Sequence, residues 1–215
     1  VIGQDNAIEG LIIAAAGGHH MSLIGPPGSG KTMLAERLPT ILPALTPEQA
    51  VELAAIESIA SDGQQALGLN LTPRIQSPHH STSRAALIGG GSGTIRPGAV
   101  SLAHHGVLFL DEALEFSSSV LDSLREPLES GSVSLNRAIG TAVFPARFQL
   151  LLAANPCPCG RNGVLVSAGQ KTCDCLPPSL KRYASRLSGP ILDRIDIRIR
   201  VNPVRASVLA GLVDP

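Results

Sequence analysis

Residues 25–32 read Gly25-Pro26-Pro27-Gly28-Ser29-Gly30-Lys31-Thr32, and the architecture can be worked outward from this octapeptide. It satisfies G-x-x-x-x-G-K-[ST] at every fixed position. On one side stands Met21-Ser22-Leu23-Ile24, which reads as a buried strand; on the other, Met33, Leu34 and Leu38 recur at helical spacing, stopping before Pro39. In that context the glycines let successive backbone N–H groups turn inward around phosphate oxygens, where a side chain would collide. The helix N-terminus that follows adds positive potential. All eight residues are therefore candidate nucleotide contacts, with Lys31 reaching the β and γ phosphates and the Thr32 hydroxyl ligating Mg²⁺. The alternative is a glycine turn with an incidental lysine.

A nucleotide held by its phosphates can be a switch, a structural ligand or a fuel, and a second strand bears on the choice. Val107-Leu108-Phe109-Leu110 is continuously apolar and ends in Asp111-Glu112, which places two carboxylates at the carboxyl edge of a buried strand. Asp111 is suited to hold the hydration shell of Mg²⁺, and Glu112 to orient and deprotonate an attacking water. A plain acidic helix cap is the competing reading. A third strand, Leu150-Leu151-Leu152-Ala153-Ala154, ends in Asn155, whose uncharged amide could hold the water or the γ-phosphate; taken alone it is only a turn residue before Pro156.

The rest of the chain supports a mostly parallel sheet with helices on both faces. Ile8, Leu11, Ile12, Ala15 and Ala16 predict a helix closed by Gly17-Gly18, and Thr46-Pro47 followed by Glu48 and Glu52 opens another. A helix is expected over 118–129, a hairpin over 132–148, and a half-exposed strand through Ile195, Ile197, Ile199 and Val201. Strand and helix signals are weak from 70 to 106, apart from a short helix near 83–87, so that stretch reads as an insertion. The core is expected over 1–203, with insertions at about 70–106 and 132–148 and a Cys-containing loop at 156–178. Residues 204–215 read as the start of a helical lid, and both ends read as cut from something larger.

Composition narrows the function. The 215 residues carry 17 Lys+Arg against 17 Asp+Glu, but residues 137–205 hold eleven bases and three acids, a local balance of +8. Such a segment is either a set of solvated arginines or a face turned to phosphates. Four Phe, one Tyr and no Trp argue against recognition by aromatic stacking. No apolar run is long enough to span a bilayer, no basic hydrophobic leader opens the chain, and four Cys are too few for a disulfide scaffold. The expected compartment is the cytoplasm.

Several segments together resemble a known family. They include Val1-Ile2-Gly3-Gln4, Gly17-Gly18-His19-His20, the phosphate loop and Ser77-Pro78-His79-His80-Ser81. Further on come Leu87-Ile88-Gly89-Gly90-Gly91-Ser92, His104-His105-Gly106-Val107-Leu108-Phe109-Leu110-Asp111-Glu112, Arg125-Glu126-Pro127-Leu128-Glu129, Asn155-Pro156-Cys157-Pro158-Cys159-Gly160 and Gly189-Pro190-Ile191-Leu192-Asp193-Arg194. In this order they resemble AAA+ ATPases of the magnesium-chelatase-like branch, and within it the ComM (YifB) group. The resemblance implies a P-loop NTPase core that hydrolyses ATP with Mg²⁺ and assembles as a homo-oligomeric ring, expected to be a hexamer, with ATP between neighbours. It implies Asn155 as the sensor and Arg194 as the finger reaching the next subunit's γ-phosphate, with Arg186 second in line. Without the resemblance, Arg194 would be expected to pair with Asp193 or Asp196. Glu115 stands where the family usually has Leu-Pro after the acidic pair, and the lid arginine has no assignable counterpart.

Histidines and cysteines complete the inventory. The six His form three adjacent pairs, 19–20, 79–80 and 104–105, better suited to hydrogen bonding than to chelation; His79-His80 lies in the insertion that in similar ATPases projects toward the pore. Cys157, Cys159, Cys173 and Cys175 form two close pairs at the ends of a Gly-rich loop. They could hold a structural Zn²⁺, stay as plain thiols, or form disulfides, and the C-x-C spacing departs from the common C-x₂-C. Three functions follow as expectations. One is a motor acting on DNA, such as branched recombination intermediates, with Arg137 and Arg147 touching phosphates from the hairpin. The second is the ATPase partner of a chelatase driving Mg²⁺ into a porphyrin, and the third a nucleotide-binding core without turnover.

Overall fold

The structure is a computed structural model and describes residues 2–61, 68–91, 94–137, 140–163, 172–204 and 211. The first element, α1 (Asp5–Gly17), ends where Gly18 takes a left-handed conformation with φ 66°, a backbone that glycine adopts without strain. Strand β1 (Met21–Ile24) leads through the glycine loop into α2 (Lys31–Ile41). Helix α3 (Pro47–Ala60) starts on a capping box, Thr46 accepting from the Gln49 N–H while the Gln49 side chain accepts from the Thr46 N–H. Then come β2 (Ile75–Gln76), α4 (Arg84–Ile88), β3 (Gly89–Gly90), β4 (Arg96–Pro97), α5 (Ala99–Leu102) and β5 (Val107–Leu110). The remainder is α6 (Ser118–Asp122), α7 (Arg125–Ser130), β6 (Ser132–Arg137), β7 (Gly140–Pro145), β8 (Gln149–Ala154), α8 (Pro177–Ala184), α9 (Gly189–Leu192) and β9 (Ile197–Arg200).

Five strands form one sheet in the order β2-β5-β8-β1-β9, and every pairing is parallel. Alternation along the central strands divides the core in two. Val107, Phe109, Leu151, Ala153, Met21 and Leu23 point to one face, under α1 and α2. Leu108, Leu110, Leu150 and Leu152 point to the other, where Leu87, Phe116, Leu121 and Leu124 meet Val133, Leu135 and Phe144 of the β6–β7 hairpin. A strand buried on both sides has no polar face to show, which is why these strands read as unbroken apolar runs. The edge strand β9 is different: Ile197 and Ile199 are half buried, while Arg198 and Arg200 face solvent and guard the edge against further pairing.

Local readings needed correction in four places. The helix expected over 118–129 is two helices, because Pro127 cannot donate and crowds the carbonyl four residues back; Leu124 N–H bonds Leu121 O instead. Helix α2 runs through Pro39 and ends two residues beyond it, at Ile41. Helix α1 turns Ala7, Gly10, Leu11, Ala14 and Ala15 inward and leaves Ile12 and Ile13 exposed, since Gly10 sits where an added Cβ would lie 3.1 Å from both Ile199 and Met21. Finally, β2 belongs to the main sheet, although 70–106 reads as an insertion. The lid helix expected from 204 falls almost wholly outside the described residues. No helix among the described residues is long and apolar enough to cross a membrane.

Candidate functional site

Strand order puts the carboxyl ends of β1, β8 and β5 side by side, so the glycine loop after β1, Asn155 after β8 and the acids after β5 meet at one edge of the sheet. That edge is where open parallel sheets take ligands. A cleft of about 400 Å³ lies there, bordered by Pro27, Gly28, Ser29, Gly30, Lys31, Thr32, Asp111, Glu112 and Asn155. Gly25 and Pro26 stand behind it: their carbonyls accept hydrogen bonds from Lys31 Nζ at 2.8 and 2.9 Å, and Asn155 Oδ1 accepts a third at 3.2 Å. A larger hollow of about 660 Å³ opens at the amino ends of the strands, near His20 and Gln149, on the side opposite the acids.

The loop's shape follows from its glycines. Gly28 and Gly30 have φ of 76° and 89°, and a Cβ on Gly28 would stand in open space, so its backbone angle and not crowding calls for glycine. Gly25 is there for room, since a Cβ would fall 2.1 Å from the Val201 carbonyl oxygen. Ser29 Oγ is buried without a hydrogen-bond partner, and the first-turn amides of α2 have no intrahelical acceptors. Lys31 is 8% exposed. Burial pulls its ammonium below the ordinary lysine range, opposed by the charges of Asp111 and then Glu112.

Thr32 Oγ1 donates to Asp111 Oδ2 at 2.7 Å, and the Glu112 N–H donates to Asp111 Oδ1 at 2.9 Å, so both oxygens of that carboxylate are held. Glu112 itself has φ 50°, a left-handed backbone that a non-glycine residue adopts at a cost of about 1–3 kcal/mol and that clusters at functional sites. Its Oε2 lies 3.1 Å from His80 Nδ1. The sequence places His80 with the pore-facing insertion; in the fold, β2 enters the main sheet beside β5 and delivers the following loop to the acids, a pairing that no local sequence signal marks.

The other candidate residues lie away from the cleft. Arg194 follows α9 and bonds Glu129 Oε1 and the Pro190 carbonyl oxygen, rather than Asp193 or Asp196. Arg186 pairs with Glu115 at 3.0 Å, so the residue that departs from the family pattern anchors an arginine. Two of the eleven bases after 136 are thus met by acids from earlier in the chain. Arg137 and Arg147 are exposed on and just beyond the hairpin. Two histidines serve the scaffold: His20 Nδ1 accepts from the Leu150 N–H and His104 Nδ1 from the Arg147 N–H, each at 3.0 Å. Cys157, Cys159, Cys173 and Cys175 converge, with all four sulfurs within 4.8 Å of one another.

A parallel sheet with a glycine loop, a lysine and a strand-end acidic pair at its carboxyl edge defines an α/β P-loop NTPase fold. The same fold is found in crystallised NtrX from Brucella abortus in complex with ADP, with a TM-score of 0.57 over 92% of this chain and 35% of that one, at 13% identity. A family model described as magnesium chelatase, subunit ChlI, matches residues 1–209, and the chain belongs to this magnesium-chelatase-like AAA+ family, in its ComM group. An uncharacterised protein of Mycobacterium tuberculosis H37Rv is 50% identical over 211 residues, 98% of this chain and 41% of that protein. Competence protein ComM of Haemophilus influenzae is 47% identical over 201 residues, 94% of this chain and 38% of ComM. The chain therefore spans about two fifths of the length of these relatives.

Proposed function

We propose that this chain is the ATP-hydrolysing core of a ring-forming motor that acts on DNA. One observation carries the hydrolytic part: Lys31, the Thr32–Asp111 pair, Glu112 and Asn155 border a single cleft at the end of the sheet. In this reading the loop amides and Lys31 bind the triphosphate, Lys31 exchanging its carbonyl partners for phosphate oxygens. Thr32 and Asp111 would hold a divalent cation, which would supply charge neutralisation at those oxygens. Glu112 takes the proton of the attacking water, and His80 holds its carboxylate in place. Asn155 orients the water or the γ-phosphate, and Arg194 of one subunit, released from Glu129, reaches the γ-phosphate bound by its neighbour.

The DNA part is supported by membership in the ComM group, by ComM's name as a competence protein, and by the bases at 137–204 that face solvent. A ring multiplies the weak attraction of each near-neutral subunit. The family description favours a second reading, an ATPase partner for insertion of Mg²⁺ into a porphyrin. The deciding measurement is steady-state ATPase activity of the full-length protein, with and without single-stranded or branched DNA over a range of salt. Stimulation by DNA that vanishes in Glu112→Gln supports the motor, whereas turnover indifferent to DNA at every salt concentration removes it. No turnover in any oligomeric state would leave only nucleotide binding.

A further inference from the structure

The two cysteine pairs lie sixteen residues apart in the chain, yet their sulfurs form one cluster. Cys157 and Cys159 sulfurs are 3.3 Å apart, Cys157 and Cys173 3.8 Å, and Cys159 and Cys173 3.6 Å. A tetrahedral Zn²⁺ with Zn–S bonds of about 2.3 Å has sulfur–sulfur edges of about 3.8 Å. A disulfide needs about 2.05 Å, and a pair of sulfurs rather than four mutually close ones. The convergence is also held from outside the sulfurs. Arg161 reaches the Thr172 carbonyl oxygen at 3.5 Å and Asp174 at 3.7 Å, bracing the two limbs, and the Asn162 N–H donates to Cys157 Sγ at 3.3 Å. Such a donor stabilises a thiolate.

We propose that Cys157, Cys159, Cys173 and Cys175 bind one structural Zn²⁺, and that this clasp braces the phosphate loop. A four-thiolate set leaves no open coordination position, so the site is structural rather than catalytic. The link to the loop is direct. Cys157 is two residues beyond Asn155, and Gly160 presses on Pro27 so closely that a Cβ there would lie 2.5 Å from Pro27 Cδ. Few buried apolar side chains hold this stretch, where Cys157 is the one core residue between Ala154 and Tyr183 among the described residues. The metal supplies the cross-link that a hydrophobic core supplies elsewhere. The bracing half of the proposal rests on the nucleotide reading above.

The test begins with the full-length protein purified without added zinc. Elemental analysis should find about one equivalent of zinc, released to a chromogenic chelator as a mercurial titrates four thiols. Zinc below about 0.3 equivalents, iron in its place, or sulfurs found as disulfides would overturn the site, as would full zinc retention by Cys173→Ser/Cys175→Ser. Because that variant could misfold, the wild-type titration stands on its own. For the brace, stripping zinc should weaken binding of a fluorescent ATP analogue tenfold or more, with recovery on adding Zn²⁺. Unchanged affinity after stripping overturns the brace alone. A zinc-loaded wild type that binds no ATP overturns both the brace and the nucleotide reading, leaving the zinc site intact.

Discussion

Burying an ammonium is costly unless acceptors replace its water, and Lys31 meets two backbone carbonyls and the Asn155 amide oxygen. The charge is held in position, and in the proposed nucleotide complex phosphate oxygens would displace those partners. Lys31→Ala is therefore expected to abolish ATP binding in an equilibrium assay while the protein stays folded by circular dichroism; retained micromolar binding would contradict the cradle. His80 should behave differently, because its contact is with Glu112 and not with the loop. We expect His80→Ala to lower ATP turnover about tenfold, the equivalent of ~1.4 kcal/mol in the barrier, with ATP affinity unchanged. A matched loss of affinity would place His80 in binding instead. Lys31, Thr32, Asp111 and Glu112 could be read from sequence because each sits at a fixed distance from a motif. The role of His80 could not, since 32 positions separate it from its partner and nothing local marks the pair.

Strand β2 is two residues long, too short to leave a periodic signature, yet it closes the edge of the sheet beside β5. Gly106 makes that closure possible: a Cβ would lie 2.3 Å from the Arg74 carbonyl oxygen, which accepts the Val107 N–H at 2.8 Å. Backbone cannot give way as a flexible side chain can. Gly106→Ala should therefore cost about 1–3 kcal/mol in chemical unfolding and displace β2 together with the loop that carries His80. A Gly106→Ala protein of wild-type stability and turnover would mean that the edge has more slack than this geometry allows. The break between α6 and α7 is illegible for a related reason: apolar spacing continues from Val120 and Leu121 through Leu124 to Leu128, and only Pro127, acting on its fourth neighbour back, stops the helix.

Across the whole molecule, acid should act through two histidines. Burial, and then the charge of His105, push His104 below the ordinary value; burial does the same to His20 against the opposing pull of Asp196. Both rings are held neutral in the fold, each accepting a backbone N–H, so the unfolded chain binds more protons once pH drops below the ordinary histidine range. Their stabilising contribution is complete above that range and is lost as pH falls. The urea midpoint should thus be lower at pH 5.5 than at pH 7.5, and His20→Asn/His104→Asn should flatten the difference; an equal slope in the double variant would assign the effect elsewhere. Sequence alone determined the glycine loop between strand and helix, the acidic strand end and the parallel sheet buried on both faces, because local spacing and apolar periodicity are properties of neighbouring residues. Only the tertiary structure decided that His80 meets Glu112, that Arg194 rests on Glu129 and that four sulfurs share one point. Those pairings depend on strand order and loop closure, where residues far apart in the chain become neighbours without leaving a local pattern.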